Sequence, residues 1–259
     1  MEVIMKIKWV VFLGIYSLIY SSELFSQESN YSFIDPKVSG HNLLIIGDSL
    51  SCGPFGAQLV KNLRDQGEQV TLYCAVSSSP YHWLKGVTPK GQKCRTCTNK
   101  SCEKWYTSKS PDEDLLQLCN GNGKVPKLET LLQNSHEPVD EIVVALGTNS
   151  LPAKKTDTYY SELTRKIGDE PRLNCIWVGP PHFSTDKGKT ASKMDLSLID
   201  FYPALDQVVS AKCELIDSRP FTSKPKKSET TSDGVHRTNN SGRKWGDDVS
   251  RIISGLSLY

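Results

Sequence analysis

The sequence predicts an α/β protein: a three-layer sandwich built on a five-stranded parallel sheet. Two observations carry this. Short apolar runs alternate along the chain with stretches of helical periodicity, as strand–helix–strand units do. The polar residues Ser49, Ser77 and Asn149 stand just past the C-terminal ends of such runs, on the rim where open parallel sheets bind ligands.

The elements follow in order. Residues 42–46 (NLLII) form a short apolar run ending in Gly-Asp-Ser, the pattern of a buried parallel strand. Phe55, Leu59, Val60 and Leu63 recur at helical spacing, and Gly67 ends that helix. Residues 69–76 (QVTLYCAV) are the second strand. Residues 77–124 break the rhythm, with Pro80, Pro89, Pro111, four cysteines and many lysines. That is far longer than a usual βα loop of about 2–6 residues. Residues 86–124 are therefore expected to be a Cys-rich insertion after the second strand, with no clear strand or helix of its own. Alternation then resumes: a short helix at 127–133, a strand at 141–147, a helix at 156–167 and a strand at 174–178. A helix at 192–212, interrupted near Pro203, leads to a last strand at 213–217 and a closing amphipathic helix at 239–256.

The 259 residues are compatible with one such domain, and 37% hydrophobic content is enough for a sizeable core. A net charge of +2 implies no nucleic acid or other strong polyanion as partner. Residues 1–26 read as a secretory signal peptide, with Lys6 and Lys8 ahead of the twelve apolar residues 9–20 and small residues Ser21, Ser22 and Ser26 after them. An uncleaved N-terminal anchor is the alternative. The run is shorter than the about 20 residues a membrane span needs, so no stable span is expected after signal removal. Residues 27–259 are expected to be a single exported domain, periplasmic or extracellular.

All eight cysteines follow the signal, and an even count in an exported chain favours disulfides. Cys175 and Cys213 each begin a strand, and consecutive strands usually neighbour each other, so they are expected to pair. Cys52, beside the Gly-Asp-Ser turn, and Cys74, ending the next strand, are a second expected pair. Cys94, Cys97, Cys102 and Cys119 are left to pair within the insertion. Their C-x2-C-x4-C-x16-C spacing also fits a zinc knot, but no second C-x2-C pair closes such a site, and no metal is expected.

Ser49 lies between a strand and a helix, where a serine projects into the crevice near a helix N-terminus; the plain alternative is a helix N-cap. Asp233 and His236 are three residues apart before the last helix, so one turn can carry a base and the carboxylate that orients it. The alternative is a helix-start motif with a surface histidine. His41, His82, His136 and His182 compete as base, but none has an acid at comparable spacing. Asn149 can aim two amide donors at an oxyanion or simply close an Asx-turn. Tyr81, His82 and Trp83 follow the second strand and could flank a sugar-binding crevice or fill the core.

Together these residues resemble the SGNH/GDSL hydrolase superfamily. Gly47-Asp48-Ser49-Leu50 matches its first block, Gly147-Thr148-Asn149 its third and Asp233-x-x-His236 its fifth, and the resemblance covers about residues 42–256. It implies a flavodoxin-like sandwich and a serine esterase with Ser49, Asp233 and His236 as catalytic triad. It also implies an oxyanion hole from Ser49, Ser77 and Asn149. The second block usually supplies a glycine where this chain has Ser77, and Ser150 stands where the third block usually has Asp. No cofactor is implied. Similar exported proteins remove acetyl groups from polysaccharides, so the expected partner is a small ester or acetylated glycan. The alternatives are a lysophospholipase- or thioesterase-like lipid esterase, an O-acetyltransferase, and a non-catalytic glycan-binding module.

Overall fold

The computed structural model describes residues 40–135, 137–153 and 158–256. The signal-peptide reading of residues 1–26 and His136 lie outside them. Strands β1 (Asn42–Gly47), β2 (Gln69–Ala75), β5 (Glu141–Ala145), β6 (Asn174–Val178) and β7 (Glu214–Ile216) are all parallel, in the order β2-β1-β5-β6-β7. Registers such as Ile45↔Leu72 and Ile45↔Val143 place apolar residues side by side. These five are the strands expected from the sequence, but the sheet has seven. The insertion adds β3 (Cys94–Thr98) antiparallel to β2, and β4 (Gln117–Leu118) antiparallel to β3. Built largely of polar residues, Arg95, Thr96 and Thr98 among them, these strands carry little hydrophobic signal. They are recognisable only once β2 offers an edge to pair with.

Helices cover both faces. Helices α1 (Pro54–Asp65) and α7 (Asn239–Leu256) pack on one, where Phe55 and Trp245 stack with ring centroids 3.6 Å apart. The insertion's short α3 (Glu103–Tyr106) adds Trp105 to the same core. Helices α2 (Pro80–Lys85), α4 (Leu128–Gln133), α5 (Thr158–Gly168) and α6 (Lys189–Val209) cover the other, around Trp83, Tyr160, Trp177 and Phe201. Pro203 does not interrupt α6. Proline costs a helix interior roughly 3 kcal/mol, but Phe201, Tyr202 and Leu205 on either side of it are buried and hold the helix against the sheet. Helix α2 is an element not expected from the periodicity, although Ser79-Pro80 is a helix start signal: a polar N-cap followed by proline at the first position.

The cysteines pair as Cys52–Cys74, Cys94–Cys119, Cys97–Cys102 and Cys175–Cys213, with Cα separations of 5.5, 5.4, 5.0 and 4.5 Å. No described cysteine is free. Among the described residues no helix is long and apolar enough to cross a membrane.

Candidate active site

The strand order reverses between β1 and β5: the chain steps from β1 outward to β2, then returns to the other side of β1. The loops leaving neighbouring strands on either side of such a switch point diverge and open a crevice at the strands' C-terminal ends. Ser49 follows β1 and Asn149 follows β5, so both stand at that crevice.

Ser49 is half-buried. It does not abut a helix. Residues 49–53 form successive turns, with the N–H groups of Ser51, Cys52 and Gly53 donating to the carbonyls of Asp48, Ser49 and Leu50 (3.1, 3.2 and 3.3 Å), and α1 starts only at Pro54. The helix N-terminus expected beside Ser49 is thus displaced, and its field falls off within a turn. The Ser49 N–H has no acceptor among the described residues.

His236 Nε2 lies 3.0 Å from Ser49 Oγ, and His236 Nδ1 lies 2.6 Å from Asp233 Oδ2. A carboxylate only accepts, so Nδ1 carries the proton and Nε2 is left to accept from Ser49 Oγ–H. Asp233 Oδ1 accepts from Thr231 Oγ1 (2.7 Å) and from the N–H groups of Val235 and His236 (2.8 and 3.0 Å). Partial burial pulls the Asp233 carboxyl upward, but bonds from His236, Thr231 and the two N–H groups outweigh it and hold it well below the usual carboxylate range. The turn between them needs Gly234. Its φ is 71°, and a Cβ there would meet Lys187 Cβ at 2.8 Å and Ala191 Cβ at 2.9 Å. Beyond it, buried Arg237 donates to the carbonyls of His182 (2.6 Å) and Thr222 (3.1 Å) and pins the loop from below. Burial draws the Arg237 guanidinium down to about 10.

Asp48 is the buried carboxyl under the Ser49 turn. Burial pushes it up to about 6, against the Leu50 N–H, the His236 charge and Thr148, which all pull it down. Its Oδ1 accepts from the Leu50 N–H at 3.0 Å.

Asn149 lies exposed at the start of a 3-10 turn. Gly147 (φ 149°) allows the strand to end against Pro180 and Phe201, which a Cβ would meet at 3.0 and 3.3 Å. One Asn149 amide hydrogen goes to Ser78 O (2.9 Å), leaving the other for a ligand. The residue that ties the second-strand turn to the site is therefore Ser78. Its Oγ donates to Gly47 O (3.2 Å) and accepts from Trp83 Nε1 (3.2 Å). Ser77 sits beside it, exposed, in a left-handed conformation (φ 61°) that favours glycine. Its N–H has no acceptor among the described residues.

The three residues read as sugar-facing separate. Trp83 is fully buried beneath Ser78 and cannot meet a ligand, a correction that follows from α2 turning it inward. His82 accepts from the Ser79 N–H through Nδ1 at 3.0 Å, and burial lowers its pKa. Tyr81 stays half-exposed, edge-on to His82 and Tyr159. His182 has an acid partner after all: Asp195 Oδ1 at 2.8 Å from Nδ1. Thirteen residues separate them, so only the approach of α6 to the loop after β6 reveals the pair. No sequence signal marked Ser78.

No protein-family model matches the chain. Protein BcsX of Komagataeibacter xylinus is 29% identical over 223 residues, covering 82% of this chain and 76% of that protein. The crystal structure of a DUF4886 family protein from Bacteroides uniformis aligns with a TM-score of 0.51 at 14% identity over 83% of each chain. Est24, a carbohydrate acetylesterase from Sinorhizobium meliloti, aligns at 0.50 and 15% identity over 83% of this chain and 99% of its own. The native aryl esterase of M. smegmatis aligns at 0.50 and 16% over 84% and 100%. With the strand order and the crevice at its switch point, these likenesses show that the chain shares the α/β fold of these esterase structures.

Proposed function

We propose that the protein is an exported serine ester hydrolase that removes O-acetyl groups from carbohydrate or cell-wall polysaccharide. The observation that carries this reading is the unbroken relay Ser49–His236–Asp233, at 3.0 and 2.6 Å. His236 Nε2 takes the proton from Ser49 Oγ, which attacks the ester carbonyl. The Ser49 N–H, the Ser77 N–H and the second Asn149 amide hydrogen receive the oxyanion. His236 returns its proton to the leaving alcohol, then activates the water that frees the acid. Asp233 holds the ring in the tautomer this requires and stabilises the imidazolium that forms.

Two features favour a small acyl group on a large alcohol. A recess of about 20 Å³ beside Ser49 and His236, walled by Gly53, Pro54 and Phe55, has room for a methyl-sized group. The His236 and Asp233 side chains are 42% and 47% exposed, so the rim is open to a bulky alcohol. The likeness to a carbohydrate acetylesterase agrees with this. Four disulfides suit an oxidising compartment, which supports export of the domain.

The test is an acyl-chain-length series of p-nitrophenyl esters and acetylated oligosaccharides, run on the parent and on Ser49→Ala. Acetate is expected to be the best acyl group, with activity lost in the variant. Preference for long chains would overturn the substrate, and full activity in folded Ser49→Ala would overturn the mechanism.

A further inference from the structure

We propose that a cleft on the rim opposite Ser49 is a second, non-catalytic site for neutral saccharide. It stands independently of the esterase reading. Its starting point is an anomaly in β2. A strand inside a helix-covered sheet is expected to be apolar on both faces. On one face of β2, Val70, Leu72 and Cys74 are fully buried. On the other, Gln69 is exposed and Thr71 and Tyr73 are only half-buried. The antiparallel neighbour continues this polar face: Thr98 opposes Thr71 and Thr96 opposes Tyr73, and directly opposed residues share a face. The helix beside this patch, α4, has six residues and leaves a cleft of about 430 Å³, within the range of about 300–1,000 Å³ typical of small-molecule sites. The polarity belongs to the strand itself. A face meant to receive an apolar segment of the chain would carry apolar residues at 71 and 73.

The lining selects the ligand. Thr71, Tyr73 and Thr98 form the floor, and Gln69, Thr130 and Asn134 line the walls. Amides and hydroxyls both donate and accept, as sugar hydroxyls require, and a phenol ring offers a flat face to sugar C–H groups. No Lys or Arg lines the cleft among the described residues, which disfavours phosphate and sulfate. Glu137 is its one charged lining residue among those described, and Glu137 Oε2 already accepts from Asn42 Nδ2 at 3.1 Å. The apolar lining residues Leu43, Leu44, Pro126, Leu131 and Val139 alternate with these amides and hydroxyls and form no continuous acyl channel.

The cleft opens at Asn42 and Gln69, where β1 and β2 begin; Ser49 lies past the other end. Five residue steps of about 3.3 Å separate those ends by roughly 16 Å. The cleft runs from that end along β2 as far as Tyr73, the register partner of Ile46, so a sugar seated at the Asn42–Gln69 end is out of reach of Ser49 and serves as a hold on a longer chain.

The experiment is isothermal titration of the purified chain with cellotetraose, xylotetraose and chitotetraose, using Ser49→Ala to exclude turnover. Saturable binding of at least one tetraose is expected. Thr130→Ala/Asn134→Ala, on an exposed helix surface that leaves the fold intact, should weaken it by about tenfold or more. Tyr73→Ala should do likewise, and Tyr73→Phe should retain it. Ser49→Ala should bind as the parent does, and Thr130→Ala/Asn134→Ala should hydrolyse p-nitrophenyl acetate at the parent rate. Tetraose binding by a protein that hydrolyses no ester would sink the esterase reading and leave this site standing. Binding of none of the three sugars by folded protein, or binding unchanged in both the Thr130→Ala/Asn134→Ala and Tyr73→Ala variants, would overturn the site.

Discussion

The two flanks of the sheet are held together by different physics. On the β5–β6 flank the strands are parallel and apolar on both faces: Ile142, Val143, Val144, Ile176, Trp177 and Val178 are all buried. One disulfide, Cys175–Cys213, crosses it. On the β3–β4 flank the strands are antiparallel, with five and two residues. Arg95, Thr96 and Thr98 keep solvent contact. Two disulfides, Cys94–Cys119 and Cys97–Cys102, stand in for the missing side-chain burial, and their sulfurs are the most deeply buried part of the insertion together with Trp105. Where the chain has few apolar residues to remove from water, cross-links limit the unfolded ensemble instead. The candidate chemistry stands on the loops after β1, β2 and β5 and on the turn before α7.

This contrast can be broken most directly at Ser49. Ser49→Ala should lower kcat for p-nitrophenyl acetate by about 10³-fold or more with the melting temperature unchanged. A comparable loss from cutting the insertion's disulfides in still-folded protein would show that the flanks are not functionally separate.

Next in size is the disulfide itself. Cys94→Ser/Cys119→Ser should cost roughly 2–4 kcal/mol of stability. Hydrogen exchange should accelerate first within residues 94–119 while β5 and β6 stay protected. Uniform acceleration over the whole sheet would mean that the insertion and the core unfold as one unit.

Asp48 tests the apolar flank from inside. Its pKa is raised from 3.8 to about 6, so folding favours the protonated form. The contribution is present in full below pH 3.8 and is lost as pH rises through 6. A gap of roughly two pH units on a fully buried group corresponds to about 3 kcal/mol at most. Asp48→Asn should therefore melt higher than the parent at pH 8, with the difference shrinking toward pH 4. Calorimetry across that range checks the slope; a difference independent of pH would remove Asp48 as its source.

The smallest expected effect is at Ser78. Ser78→Ala leaves Trp83 Nε1 without its acceptor and frees the turn from Gly47 O. The stability cost should be about 1–3 kcal/mol. The Asn149 amide, still bonded to the Ser78 carbonyl, should be aimed less well, so kcat should fall about tenfold with KM unchanged. A rise in KM alone would place Ser78 in substrate binding instead of positioning.

The parallel strands were legible because each is a short run of residues that must leave water. The blocks Gly47-Asp48-Ser49, Gly147-Thr148-Asn149 and Asp233-x-x-His236 were legible because each turn packs its chemistry into adjacent residues. The antiparallel pair β3 and β4 was not, since polar strands declare themselves only against a partner. Trp83 reads from the chain as an aromatic beside the site; α2 turns it into the core beneath Ser78.

The sequence by itself determined which segments are buried strands, which faces of the long helices point inward, and which residue types could perform acyl transfer. These follow from local periodicity and side-chain chemistry. Only the tertiary structure decided that His236 meets Ser49 across 187 residues, that His182 finds Asp195, that Ser78 holds Asn149, and that a cleft stays open over the polar face of β2. Those outcomes depend on which distant elements the closed sheet brings within hydrogen-bonding distance, and no window of sequence contains both partners.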